Sequence, residues 1–281
     1  MTLSFSKNKS QTVQWSGMTH VGRVRKNNED AFLGITFDDK ECTYLGKIGE
    51  ERHDRGDFIF AVSDGMGGAN AGEFASKVAV EKLMTLAPSS FRLATMGITV
   101  DYADILDEVF SEIHKKICSY SFHYEECRGM GATLSMCWLT PEYLYFAHIG
   151  DSRIYYLPKE GELKQLTEDH SVAWKLMREG KITEREARKH PEKSILLKSL
   201  GAIGDNIEPQ FGSVRYEDGD RFIICSDGIS DALFDSDIRE TLRRPLPYLV
   251  GKPPAERLVK KALREGGLDN LTAVVVEIHQ P

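Results

Sequence analysis

The chain lacks the marks of several protein classes. No apolar run approaches the roughly 20 residues needed to cross a bilayer. The polar start, Met1 to Gln11, has no apolar centre of the kind a secretion signal carries. Cysteine is sparse: Cys42, Cys118, Cys127, Cys137 and Cys225 are scattered, without a C-x-x-C pair, so neither a disulfide framework nor a zinc site is expected. Reduced thiols and no targeting segment place the protein in the cytoplasm. Basic charge is not in excess either. Against 36 Lys and Arg stand 43 Asp and Glu, a net charge of −7, which argues against nucleic acid and anionic membranes as partners. Repeats and low-complexity tracts are missing. The one glycine-rich turn after an apolar run, Asp64-Gly65-Met66-Gly67-Gly68, has neither the G-x-G-x-x-G spacing nor the G-K-[ST] ending of nucleotide loops.

What is present suits one globular unit. The 281 residues are 41% hydrophobic, enough to bury a core. Short runs rich in β-branched and aromatic residues occur at Phe58–Ser63, Thr133–Leu139, Tyr143–Ile149, Arg153–Leu157, Arg221–Ser226 and Leu271–Ile278. Two helical stretches lie between the first two. Ala71–Leu86 puts Phe74, Ala75, Val78, Ala79, Leu83 and Leu86 on one face; Tyr102–Ile117 aligns Ile105, Leu106, Val109, Phe110, Ile113 and Ile117. Their link, Ala87–Asp101, folds them into a hairpin. A densely charged region, Val172–Lys189, starts at the cap Asp169 or Ser171, breaks near Gly180 and restarts at Thr183 with Glu186 three residues on, a capping-box pattern. Ser236–Leu263 is helical but broken by prolines. Strand clusters around long helices, rather than strict β-α-β alternation, predict an α+β fold with antiparallel sheets.

Four acidic positions share one setting. Asp64 follows F-I-F-A-V-S, Asp227 follows R-F-I-I-C-S, Asp151 follows a strand ending in H-I-G, and Asp269 with Asn270 precedes L-T-A-V-V-V-E-I. A single Asp-Gly is usually a turn. Four carboxylates recurring at the ends of apolar strands suggest side chains held rigidly at one cleft. Oxygen donors without a Cys–His cluster favour hard cations, Mg²⁺ or Mn²⁺, over zinc. An acidic metal cleft also needs a grip for an anionic substrate. Arg25, just ahead of Glu29 and Asp30 in V-R-K-N-N-E-D, offers a guanidinium that binds phosphate bidentately, although a surface arginine in a basic turn reads equally well from these residues.

The ordered succession V-G-x-V-R-K-N-N-E-D, V-S-D-G-M-G-G, G-M-G-A-T-L, H-I-G-D-S-R, L-T-E-D-H-S, S-L-G, I-C-S-D-G-I-S-D and D-N-L-T, from about Gly17 to Ile278, resembles the metal-dependent, type 2C protein serine/threonine phosphatases in their bacterial form. The resemblance implies a four-layer α-β-β-α sandwich of two antiparallel sheets flanked by helix pairs. It implies one catalytic domain over 12–281, a flap subdomain at about 168–205 and a flexible N-terminus over 1–11. It implies Mn²⁺ or Mg²⁺ as cofactor, two core ions with a third at a looser site. Asp64 resembles the bridging ligand, the Gly65 carbonyl completes the first metal, and Asp227 and Asp269 hold the second. Glu29 and Asp30 match the first acidic motif, binding through water or supporting a ligand. Asp151 matches a ligand of the third ion with Asp227 shared, and Arg25 the phosphate-gripping arginine. The expected partners are phosphorylated proteins, including a Ser/Thr kinase or its targets, and the chain is expected to act as a monomer.

No dedicated nucleophile stands out. Cys127-Arg128 has the wrong spacing for a cysteine phosphatase, and Ser63 and Ser226 precede Asp without an apparent base. Met66 follows the Asp-Gly pair where many eukaryotic relatives carry histidine, which leaves the proton donor to the leaving group open. The stretch between Asp30 and Asp64 is longer than in compact bacterial members, and reads as a longer hairpin or a surface loop. A degenerate relative that binds phosphoproteins without cleaving them is a second reading; every expected ligand position is occupied.

Overall fold

The computed structural model describes residues 11–38, 41–53, 56–67, 70–91, 101–202 and 207–279. Thirteen strands among these residues form two antiparallel sheets. One sheet orders β10 (Lys164–Gln165), β9 (Arg153–Leu157), β12 (Arg221–Cys225), β13 (Leu271–His279), β1 (Thr12–His20) and β4 (Ile48–Arg52). The other orders β11 (Gln210–Arg215), β8 (Tyr143–Ile149), β7 (Leu134–Leu139), β5 (Asp57–Met66), β2 (Asp30–Phe37) and β3 (Cys42–Tyr44), with β6 (Gly131–Ala132) also paired to β5. Helices α1 (Ala71–Ser90) and α2 (Tyr102–His123) cover the second sheet; α5 (Asp227–Ala232), α6 (Asp235–Arg243) and α7 (Pro254–Glu265) cover the first. The short helices α3 (Val172–Arg178) and α4 (Glu184–Ala187) stand between β10 and β11. The four-layer α-β-β-α expectation holds.

The layers follow from period-two side chains on strands buried on both faces. In β5, Ile59 and Ala61 face the α1–α2 layer, whereas Phe58, Phe60 and Val62 enter the core between the sheets. In β13, Val274, Val276 and Ile278 face that same central core, and Leu271, Ala273 and Val275 pack under α7. Each large side chain buried this way stabilises the fold by about 1.5–3 kcal/mol. The sandwich holds its strands and the junctions between them still.

Several expectations need correcting. The chain also forms β1, β2, β11 and the short β3, β4, β6 and β10, which periodicity had not disclosed. Helices α1 and α2 run longer than read, to Ser90 and His123. Pro88 lies in the last turn of α1, where its missing N–H removes only one intrahelical bond; of the interhelical link, 92–100 lies outside the described residues. Phe74 is not on the buried face: it is 38% exposed and packs edge-on against Tyr120 at 5.1 Å. The stretch after Asp30 does open as a hairpin, β2 pairing antiparallel with β3 on one sheet, but it then crosses over so that β4 extends the other sheet. The insertion therefore bridges the edges of both sheets. It is fastened by Trp15, whose indole N–H donates to the Gly46 carbonyl at 2.8 Å. A Cβ at Gly49 would lie 2.2 Å from the Trp15 ring, so only glycine fits under it. The charged region behaves as read: Ser171, not Asp169, caps α3, Gly180 breaks the helix at φ +69°, and Thr183 with Glu186 closes a capping box on α4.

Candidate functional site

Seven of the eight residues singled out line one cleft of about 240 Å³: Arg25, Glu29, Asp64, Gly65, Asp151, Asp227 and Asp269. Each comes from a junction that the sandwich fixes. Asp151 lies in the turn from β8 to β9, after Gly150 at φ +111°. Asp269 precedes β13, and Arg25 and Glu29 belong to the segment between β1 and β2. Two placements differ from the strand-end reading. Asp64 sits inside β5, which continues through Gly65 and Met66 by pairing with β6. Asp227 is the first residue of α5 rather than a turn.

The eighth, Asp30, lies beneath the cleft, directly opposite Asp64 in the β2–β5 register. Like charges facing each other across a ladder repel. Asp30 Oδ2 accepts the Ser226 hydroxyl at 2.7 Å, and Ser226 Oγ accepts the Thr272 N–H at 3.0 Å. Ser226 thus does have a carboxylate partner, contrary to its sequence reading, but it is fully buried and cannot meet a substrate. Asp30 Oδ1 and Asp227 Oδ1 are buried without any hydrogen-bond partner.

Burial and mutual repulsion push these carboxyls up. Asp30 rises to about 6 and Asp151 to about 7, in both cases chiefly by burial; Asp169 and Asp231 then add to the shift of Asp151. Asp64 and Asp227 rise well above the ordinary carboxylate range, again through burial first, with Asp30 acting next on Asp64 and Asp151 on Asp227. Among the described residues, no three His, Cys, Asp or Glu side chains already close into a finished metal cage. The carboxylates ring the cleft instead. An all-oxygen donor set with buried, unpartnered carboxylate oxygens fits hard divalent cations.

Backbone contacts lock the ring together. Asn270 Oδ1 accepts the Glu29 N–H at 2.7 Å, and its Nδ2 donates to the Val21 and Asn27 carbonyls, both at 2.9 Å. The two ends of the chain thereby meet at the site. Gly65 and Gly72 pass so closely that a Cβ on Gly65 would fall 1.9 Å from the Gly72 carbonyl oxygen, so neither tolerates a side chain. Arg25 donates from Nη2 to Asp269 Oδ2 at 2.8 Å, pairing the two residues with each other.

Sequence reading missed Asp231. It stands four residues after Asp227 on α5, raises both Asp151 and Asp227, and pairs with Lys193; the i, i+4 spacing in D-G-I-S-D was the available signal. It also missed Ser194 and Leu196, which reach the cleft from the segment after α4. A second cavity of about 210 Å³ shares Asp151, Ser194 and Asp227 with the cleft and has Trp174 and Met177 of α3 in its wall. The residues around α3 and α4 therefore border the site, while 203–205 of the expected flap lie outside the described residues, as do 1–10 of the N-terminus.

Comparisons with known proteins agree with this geometry. The chain is 34% identical over 266 residues to the protein phosphatase PhpP of Streptococcus pneumoniae, covering 94% of this chain and 96% of that protein. The Mycobacterium tuberculosis serine/threonine phosphatase PstP/Ppp superposes with a TM-score of 0.76 at 32% identity, over 95% of this chain and 99% of that one. A catalytic domain of the serine threonine protein phosphatase PstP, solved in complex with two manganese ions, gives 0.74 at 31% identity, over 96% and 99% of the two chains. The family model described as Protein phosphatase 2C matches residues 47–264. A sandwich whose strand junctions converge on one acidic cleft, in a chain with these relatives, is that family's architecture: the chain belongs to the protein phosphatase 2C family.

Proposed function

We propose that this chain is a protein serine/threonine phosphatase of one catalytic domain, 12–281, which releases phosphate from phosphoserine and phosphothreonine and opposes a bacterial Ser/Thr kinase. The observation that carries the reading is the ring of half-buried carboxylates beside a guanidinium in an open cleft, with Asp30 beneath it and the Asp30 and Asp227 Oδ1 atoms buried without partners. The PstP structure with manganese supports Mn²⁺ or Mg²⁺ as the cation. Asp64 and the Gly65 carbonyl would hold one ion and Asp64, Asp227 and Asp269 the other, with Asp151 and Asp227 toward a third. When bound, such ions neutralise the phosphoryl oxygens and make water a stronger nucleophile near neutral pH.

The chain's own residues supply binding and orientation. Arg25, half-exposed, can leave Asp269 and grip two phosphate oxygens. Asp30 sits too deep for substrate and fixes Asp64 from below, while Glu29 supports the same wall. No serine or cysteine takes the phosphoryl group; it passes to water, and the P–O bond to the serine or threonine oxygen breaks. The segment 168–205 acts as a flap, with Ser194 and Leu196 facing the substrate.

The test is a phosphopeptide assay after dialysis against EDTA. Phosphate release should vanish and return with Mn²⁺; undiminished turnover in excess EDTA would sink the proposal. Tight phosphopeptide binding with no metal-stimulated release would favour a non-catalytic relative. A narrower expectation concerns Arg25→Ala. Losing charge-assisted bonds of about 1.5–3 kcal/mol should lower kcat/KM for a phosphopeptide by about 10- to 100-fold. Much of that loss should fall on KM, and Arg25→Lys should recover only part, since an ammonium cannot bind bidentately. Calorimetric Mn²⁺ affinity should not weaken in Arg25→Ala, because the substitution frees Asp269.

A further inference from the structure

Beneath the cleft runs a buried polar chain that the reaction does not use. The Asp64 N–H donates to Thr133 Oγ1 at 3.0 Å, and the Ser152 hydroxyl reaches the same oxygen at 3.1 Å. Ser152 Oγ lies 2.9 Å from Ser135 Oγ, which lies 2.8 Å from His148 Nδ1. His148 Nε2 is 3.2 Å from the Glu168 carbonyl. Thr133, Ser135, His148 and Ser152 are all at most 2% exposed. A carbonyl can only accept, so Nε2 carries the ring proton and Nδ1 is left to accept; the Ser135 hydroxyl, which also reaches the Ser152 carbonyl at 3.2 Å, is the donor beside it. His148 also lies against His170, ring centroids 5.0 Å apart. His170 in turn closes on the turn before Asp151: its Nδ1 accepts the Gly150 N–H at 3.1 Å, and its own N–H donates to the Gly150 carbonyl at 2.7 Å.

This chain joins three things that must stay in register: the backbone of Asp64, the turn carrying Asp151, and Glu168–His170, where the segment leading into α3 begins. Resting on the functional reading above, we propose that His148 is a positioning residue, which through Ser135, Ser152 and Thr133 fixes the backbone of Asp64 and the turn of Asp151 relative to each other and ties them to the base of the flap. An apolar side chain at 148 could fill the space but would leave the Glu168 carbonyl unpaired in the core and the Ser135 hydroxyl with Ser152 as its remaining partner. Such a buried network holds one geometry only while every member is satisfied. Groups that orient ligands from behind typically govern about 10- to 100-fold in metal affinity.

The experiment compares His148→Leu, His148→Asn and Ser135→Ala with the wild type, using titration calorimetry with Mn²⁺ alone and steady-state turnover of a phosphopeptide. Circular dichroism and thermal melts establish folding. His148→Leu is expected to bind Mn²⁺ about 10- to 100-fold more weakly and to lose kcat rather than raise KM. His148→Asn, which keeps one donor and one acceptor, should restore part of the affinity. Ser135→Ala breaks the chain with a smaller change, and should weaken Mn²⁺ binding even where His148→Leu does not fold. Wild-type Mn²⁺ affinity in folded Ser135→Ala, or equal losses in the leucine and asparagine variants, would overturn the assignment. Because the calorimetry uses the metal alone, a wild-type protein inactive on phosphopeptides would refute the functional reading and leave this comparison standing.

Discussion

Asp227→Asn should give a folded protein that melts higher than the wild type in EDTA, yet hardly turns over phosphopeptide in saturating Mn²⁺. Both halves follow from the surroundings of one carboxylate. Asp227 is half-buried in the cleft wall, its Oδ1 is shut away from solvent without a hydrogen-bond partner, and Asp151, Asp231, Asp269 and Asp30 all push its pKa upward after desolvation has done so. Without cations its charge is a liability, and asparagine removes that charge at nearly constant volume. On the proposed ligand set, cations would turn that charge into an attractive contact. Losing one preorganised electrostatic contact at a reacting centre typically costs about 10²- to 10³-fold in kcat. The expected pattern is therefore opposite in sign for stability and activity, as sites held in a strained state often show. Scanning calorimetry in EDTA and a phosphate-release assay in Mn²⁺ read the two halves separately. Activity within tenfold of wild type at saturating Mn²⁺ would remove Asp227 from the metal set. A metal-free melting temperature lowered by several degrees would show that the carboxylate is instead a structural support.

The distribution of such residues explains what could be read before any coordinates. Strands buried on both faces announce themselves as nearly unbroken apolar runs, so β5, β12 and β13 were legible. β1 was not, because Gln14, Ser16 and Thr19 interrupt it and its burial depends on partners at the far end of the sequence, such as Val276 opposite Trp15. The carboxylates at apolar junctions, Asp64, Asp151, Asp227 and Asp269, were visible as a recurring pattern. Their individual roles came only from the motif order. Asp30 could be named as part of a motif, but not as the residue facing Asp64, since sheet register is a tertiary fact. The insertion after Asp30 was legible only as far as its hairpin for the same reason. A short charged segment looks like a loop until two sheet edges, one on each side, are available to pair with β3 and β4. His148 shows in the sequence only as the first residue of H-I-G-D-S-R, and its link to Ser135 not at all, because a buried relay has no periodicity.

The metal-free protein should grow more stable as the solution is acidified from about pH 7.5 toward pH 5, against the usual trend for carboxylate-rich proteins. Ordinary surface carboxylates paired with cations have lowered folded-state pKa values, and their contribution fades as pH falls. Here the inward carboxyls are raised. Asp30 stands at about 6 and Asp151 at about 7, against an ordinary value of 3.8, and Asp64 and Asp227 lie well above it too. Between the unfolded and folded values the native state binds more protons than the unfolded chain, so stability falls as pH rises through that window. Each unit of difference is worth about 1.4 kcal/mol. Asp30 and Asp151 alone then account for a loss on the order of 5 kcal/mol between pH 4 and pH 7. Divalent cations take over the role of those protons. Saturating Mn²⁺ should restore the stability near neutral pH and reverse the slope, because acid now displaces the ions. Melting curves in EDTA and in Mn²⁺ at pH 5, 6, 7 and 7.5 measure both slopes. The largest Mn²⁺-induced rise in melting temperature is expected at the alkaline end, where the bare carboxylates repel most. A metal-free optimum at pH 7 or above, or a Mn²⁺ effect that grows toward acid, would show that the carboxylate ring does not carry the strain its burial implies.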